Sequence, residues 1–268
     1  MNPFVSSPYN NVGGLKRVFA NNIKPVQGVY RLWKYIYDYD VEEPKLEPIP
    51  IKYKRGKGLS LFRYLSASHF LKDVTARSLT FVSPALWNDP FERLFFRESI
   101  KIGQINYSIR CICLTYDWIE SEEAAWLRAG ENNETVRVDY DFEKLCSELN
   151  KIKDVDFYFS VVDYSLSRKE IIKLSNDFSG GAWSPNSIDD YLNVMSLKRK
   201  AFTYENEIRL FLVKKQPIIG DIISIGYCDS PINSVCLPPK KLSPLEEVER
   251  AKERYNINVM HSHLYDLV

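Results

Sequence analysis

The chain reads as an α+β domain built on a mixed, largely antiparallel sheet with flanking helices. Three observations point there. Short runs such as 135–140 alternate apolar and polar residues, the pattern of half-buried strands. Other runs carry helix-start signals. Asp141 precedes an apolar stripe at Phe142, Leu145 and Leu149, and Ser243-Pro244-Leu245-Glu246 combines a Ser cap, a first-turn Pro and a closing Glu. The two kinds are mixed without the regular βαβ alternation of a parallel fold. At 268 residues the chain can bury one sizeable core. We place a single compact domain over 59–268 and an N-terminal extension with linker over 1–58.

In chain order, 1–28 is rich in Asn, Gly, Ser and Pro and reads as a loose segment. Residues 29–39 interleave Tyr30, Trp33, Tyr35, Tyr37 and Tyr39 with Arg31 and Lys34. Such an arm stacks on bases or lies on the protein's own core or on a partner, and we read it as an arm laid on its own core or on a partner. Pro44, Pro48, Pro50, Gly56 and Gly58 make 42–58 an extended linker, with Lys52, Lys54, Arg55 and Lys57 on a solvated face. A strand is predicted over 61–65, then a helix over 69–76 capped by Ser66 or Ser68, then a strand over 78–82. Residues 91–99 read as helical or irregular. The run 108–116 is apolar on both faces, as a central strand is. A short helix follows over 121–129, a strand over 135–140, a helix over 142–151 and a strand over 156–164. A helix over 168–178 stops at Gly180-Gly181, and another covers 188–200. Strands are predicted over 202–214, 222–227, 234–237 and 257–260.

Composition narrows the function classes. Lys+Arg 36 against Asp+Glu 35 leaves a formal charge of +1, so bulk charge supports neither nucleic-acid nor membrane binding. The sequence has no apolar run that spans a bilayer and no signal-peptide core, and we expect a cytoplasmic protein. Five cysteines in irregular spacing, with no C-x-x-C pair, fit reduced thiols and give no zinc site. Walker, G-x-G-x-x-G, H-E-x-x-H and G-x-S-x-G motifs are missing from the sequence.

Three polar groups stand out. The first is Arg63-Tyr64. The second is the turn after the 78–82 strand, where Ser83, Asn88, Asp89 and Glu92 alternate with apolar residues. Asn-Asp-Pro suits a tight turn, because an Asx side chain bonds nearby backbone and Pro fixes φ. The third is Lys198 with Tyr204, Glu205, Glu207 and Arg209. If 202–214 is extended throughout, Glu205, Glu207 and Arg209 share one face. A solvated, mutually paired strand face explains them as well as a ligand does. As a site, they offer carboxylates to hold a sugar hydroxyl and steady developing positive charge, and Arg63 offers a fork for a phosphate.

Phe62-Arg63-Tyr64, Phe81-Val82-Ser83-Pro84, Asn88-Asp89-Pro90-Phe91-Glu92 and Lys198…Phe202-Thr203-Tyr204-Glu205-Asn206-Glu207-Ile208-Arg209 occur in an order that resembles a bacterial family catalogued only as a domain of unknown function. Its signatures are F-S-x-P…N-D-P-F-E and K…W-x-Y-E-x-E-x-R. Phe202 stands where that family has Trp, and its middle motif survives only as Trp126 and Gly130. The resemblance implies a setting among phage-defence or toxin genes. The order Arg63, Ser83, Glu205-x-Glu207 is also similar to the arginine–serine–glutamate arrangement of ADP-ribosyltransferases. That resemblance implies Arg63 on the phosphate of NAD, Ser83 at the nicotinamide pocket, Glu205 orienting the substrate and Glu207 promoting loss of nicotinamide.

Three readings follow. One is an NAD-consuming, ADP-ribosyltransferase-like effector of toxin or anti-phage defence. In it Glu207, Glu205, Asp89 and Glu92 are the catalytic candidates, and Arg63, Tyr64, Ser83, Asn88, Lys198, Tyr204 and Arg209 line the cofactor site. The second is a nuclease-type effector with Asp89, Glu92, Glu205 and Glu207 around Mg²⁺, Lys198 near a phosphate and nucleic acid as target. The third is a non-catalytic module that docks a protein partner through the arm at 29–39.

Overall fold

The computed structural model describes residues 19–20, 60–115, 135–164, 166–238 and 246–262. The aromatic arm at 29–39, the linker at 42–58 and the expected helix at 121–129 lie outside the described residues. In chain order the elements are β1 (Phe19–Ala20), β2 (Ser60–Ser66), α1 (Ala67–Ala76), β3 (Ser78–Val82), a 3₁₀ turn (Pro84–Leu86), β4 (Ile100–Ile102), β5 (Ile105–Thr115), β6 (Thr135–Asp141), α2 (Phe142–Asn150), β7 (Asp156–Val161), α3 (Arg168–Ser179), α4 (Ile188–Val194), a second 3₁₀ turn (Lys200–Glu205), β8 (Glu207–Lys214), β9 (Ile222–Gly226), β10 (Ile232–Leu237), α5 (Glu246–Tyr255) and β11 (Asn258–His261).

The fold is α+β. One sheet runs in the order β1-β7-β8-β5-β2-β6-β10-β11, with β3 and β4 branching from β5 and β9 pairing with β3. Among the described residues β10–β11 is the parallel strand pair and the other strand pairs are antiparallel. Local chemistry sets the helices. Ser66 accepts from the His69 backbone N–H at 3.3 Å and starts α1. Asp141 does the same for Lys144 at 3.0 Å and starts α2. Ser167 and Glu170 close a capping box on α3.

Because side chains alternate across a strand, the sheet builds a core on each face. Ile208, Leu210 and Leu212 of β8 join Leu61, Phe81, Phe142 and Phe159 on one face. Phe211 and Val213 join Ile109, Cys111, Tyr191 and Met195 on the other. Fully buried Arg110 donates to the carbonyls of Ile109, Ile218 and Gly220 and ties the β8–β9 connection to β5.

The feature that makes room for a site is a change of neighbour along β5. β3 pairs with it at Cys111 and β2 at Thr115, so the two strands diverge between those positions. Behind that fork, on the α1 side, Arg63 of β2 donates to the Thr80 carbonyl of β3 at 3.3 Å and lies 3.7 Å from Asp73 of α1, which also accepts from the Thr80 hydroxyl.

Several expectations change. Residues 91–99, read as helical or irregular, are irregular, a run of turns and bends. The loose segment 1–28 contains β1, paired with β7 through Phe19 and Ala20. The helix expected over 188–200 ends at Val194, and the strand expected from 202 starts at Glu207. The cause is Asn206, held at φ 42 in the left-handed region that Asn tolerates, after a 3₁₀ turn.

Replacing Arg63 by Met removes a buried donor to a β3 carbonyl and a partner of Asp73. The expected loss is about 1–3 kcal/mol of stability, read as a lowered urea midpoint with unchanged m-value.

Candidate functional site

A cleft of about 330 Å³ opens at the fork, lined by Phe62, Tyr64, Trp87, Asn88, Asp89, Glu92, Cys113, Leu114, Thr115, Lys198, Tyr204, Glu205 and Glu207. Strand register builds its floor. Phe62, Thr115 and Glu207 lie side by side across β2, β5 and β8, and Cys113 lies beside Arg209. The turn 87–92 and the segment 198–205 form the walls. The Asx turn expected at Asn88-Asp89-Pro90 is present: the Asp89 carboxylate accepts from the Phe91 N–H at 2.9 Å. It also faces outward to Arg199, whose Nε and Nη2 donate to Oδ2 at 3.2 and 2.9 Å.

Below lies a buried ion network. The Lys198 ammonium, its side chain 4 % exposed, sits 2.9 Å from Glu92 and 2.7 Å from Glu207 and also bonds Glu205. Arg209, with no exposed side-chain surface, donates to Glu207 Oε1 at 2.8 Å and Glu92 Oε2 at 2.7 Å, and to the Met195 carbonyl. Its guanidinium lies 4.2 Å from the centre of the Trp87 ring and pins that indole to the wall. Burial pushes the Glu207 carboxyl up, but the Arg209 and Lys198 charges more than offset it and hold the group far below the usual carboxylate range. Burial likewise lowers Arg209, and the Glu207 and Glu92 charges raise it further still. The Cys111 side chain and the Glu207 charge hold the Cys113 thiol well above its usual range, so it stays neutral.

The structure thus brings together Tyr64, Asn88, Asp89, Glu92, Lys198, Tyr204, Glu205 and Glu207, with Arg209 directly beneath. It keeps Arg63 and Ser83 out. Arg63 points to the opposite face of β2 from Phe62 and Tyr64, and is held by Thr80 and Asp73. Ser83 is fully buried, and its hydroxyl caps the Pro84–Leu86 turn by accepting from Ala85 at 3.2 Å. Glu205 and Glu207 are not on one strand face as expected. Glu205 ends a 3₁₀ turn and Glu207 begins β8, and the twist at Asn206 lets both reach Lys198. Trp87 and Arg199 are site residues the sequence reading missed. Trp87 sits in the same turn motif, and Arg199 adjoins Lys198 in a basic Lys198-Arg199-Lys200 run.

The carboxylates do not fit Mg²⁺. The place between Glu92, Glu205 and Glu207 that a divalent ion would take is held by the Lys198 ammonium. Among the described residues no cluster of His, Cys, Asp and Glu has a metal-holding arrangement.

No family model and no curated protein matches the chain. Among solved structures the chain is similar to Thermus sp. 2.9 DarT in complex with ADP-ribosylated ssDNA, at 9 % identity and a TM-score of 0.36, over 76 % of this chain and 94 % of that one. A likeness of that degree carries no argument about this chain. No helix among the described residues is long and apolar enough to cross a membrane.

Two outcomes are expected from the network. Lys198→Met leaves three facing carboxylates without their shared cation and lowers stability by about 3–5 kcal/mol, measured by chemical denaturation. Because the folded carboxyl of Glu207 lies below its ordinary value of 4.5, its contribution is complete above that pH and is lost as pH falls toward the depressed value. Urea midpoints measured down an acid series should therefore fall more steeply for wild type than for Glu207→Gln.

Proposed function

We propose that the cleft is the active site of an ADP-ribosyltransferase-like enzyme that uses NAD as substrate, in a bacterial toxin or anti-phage role. The observation that supports this most is the meeting of Glu205, Tyr64, Asn88 and Tyr204 around one aromatic-walled cleft above an ionised carboxylate network. Its size is that of a small-ligand pocket, enough for a ring and a ribose. Trp87, Phe62 and Tyr204 offer flat apolar surface to a base, and the polar side chains offer bonds to ribose hydroxyls.

The roles differ from those implied by the resemblance to ADP-ribosyltransferases. Both oxygens of Glu207 are taken by Arg209 and Lys198, so Glu207 is a positioning residue. Glu205, its side chain 16 % exposed at the cleft, carries the chemistry. In the transfer the glycosidic C–N bond breaks, and its electron pair leaves with a neutral nicotinamide. The positive charge left on the ribose carbon is steadied by the Glu205 carboxylate until a nucleophile of the target bonds that carbon. Lys198 holds the Glu205 carboxylate in place.

Calorimetry with NAD and an assay of nicotinamide release test this. Wild type is expected to bind NAD equally with and without EDTA. Glu205→Gln is expected to keep its fold and lose roughly a hundredfold or more in release rate. A wild type that does not bind NAD, or a Glu205→Gln variant that releases nicotinamide at the wild-type rate, removes the proposal.

A further inference from the structure

The cleft is acidic inside and basic at one lip. Its lining holds Asp89, Glu92, Glu205 and Glu207 against one cation, Lys198. An anionic group has no place on such a floor. Lys198 and Arg209 are buried and each is committed to several oxygens, so neither turns toward a new anion without unpairing buried carboxylates.

The lip is different. Arg199 is 30 % exposed and reaches a single carboxylate oxygen, that of Asp89 on the cleft wall. Its guanidinium rests between two rings, 4.6 Å from Phe91 and 4.9 Å from Phe202. Phe91 also carries exposed Arg168, whose Cζ lies 5.1 Å from the same ring. Two guanidiniums from distant parts of the chain, one at the start of α3 and one beside the Lys200–Glu205 turn, thus share one aromatic ring next to the cleft. Stacking on Phe91 and Phe202 limits the orientations of the guanidiniums while leaving N–H groups for a ligand, and little ordering cost remains when a phosphate arrives.

The geometry points to Arg199 and Arg168 as the subsite for the diphosphate of the nucleotide, with the ring and ribose end entering the acidic floor. This rests on the NAD reading above and names the residues that take the place Arg63 was expected to fill. In this arrangement Arg199 keeps Nε and Nη2 on the buried Asp89 oxygen and offers its remaining N–H groups to a phosphate oxygen.

Two ligands separate the parts: NAD, which has the diphosphate, and nicotinamide riboside, which lacks it. Arg168→Gln is an exposed change at a helix start and leaves the ion network intact. Arg199→Lys keeps the charge but loses the fork. Each is expected to weaken NAD binding roughly tenfold and to change riboside binding less than twofold. If wild type binds both ligands and Arg168→Gln and Arg199→Lys bind NAD as tightly as wild type, the subsite is overturned and the NAD reading stands. If wild type binds neither ligand, both fall. If the variants keep NAD affinity and lose affinity for a single-stranded oligonucleotide, the lip serves a nucleic-acid backbone and the diphosphate assignment is overturned.

Discussion

Everything in the cleft depends on one ammonium. Lys198 lies among Glu92, Glu205 and Glu207, and Arg209 backs two of those three from below. Burying that many carboxylates costs far more than the chain can spare unless each has an oppositely charged partner at hydrogen-bond distance. The network therefore dictates geometry. The turn 87–92 must sit where Glu92 reaches two cations, and the connection from α4 must bring Lys198 under the same floor. The Tyr164 hydroxyl, accepting from the Glu207 N–H at 3.1 Å, fixes the start of β8 from a further side.

Stability and chemistry are distributed unequally over the carboxylates. Glu207 and Glu92 hold the site together, and their bonding capacity is used inward. Asp89 is held in the cleft wall by Arg199 and the Phe91 N–H, and Glu205 meets Lys198 from the cleft side. A pair of glutamates one residue apart thus divides into one enclosed by two cations and one partly exposed at the cleft. The left-handed Asn206 makes the division, turning the backbone between them out of register.

Much of this was legible in the sequence, because the signals are local. The caps at Ser66 and Asp141 depend on neighbours three residues away, and the helices begin where those caps put them. Alternation along β2 already says that Phe62 and Tyr64 face one way and Arg63 the other. What it does not say is which face holds the cleft, since that is decided by where β3 and β2 leave β5. Likewise 202–206 has the composition of a strand, and only the contacts of Lys198 and Asn206 make it a 3₁₀ turn. Arg199 was hidden for the same reason: its partner Asp89 is far away in sequence.

The place of β8 in the sheet has a consequence for how the molecule is made. β8 lies between β5 and β7, both of which precede it in the chain, and carries Glu207 and Arg209 into the centre. Until that strand emerges and inserts, β5 and β7 face each other across a vacant slot, with neither side of the ion network complete. Strand pairings of such long sequence separation close slowly. The middle of the sheet and the floor of the cleft therefore both rest on a strand that follows its two neighbours in the chain, and a chain ending before residue 207 lacks Glu207 and Arg209.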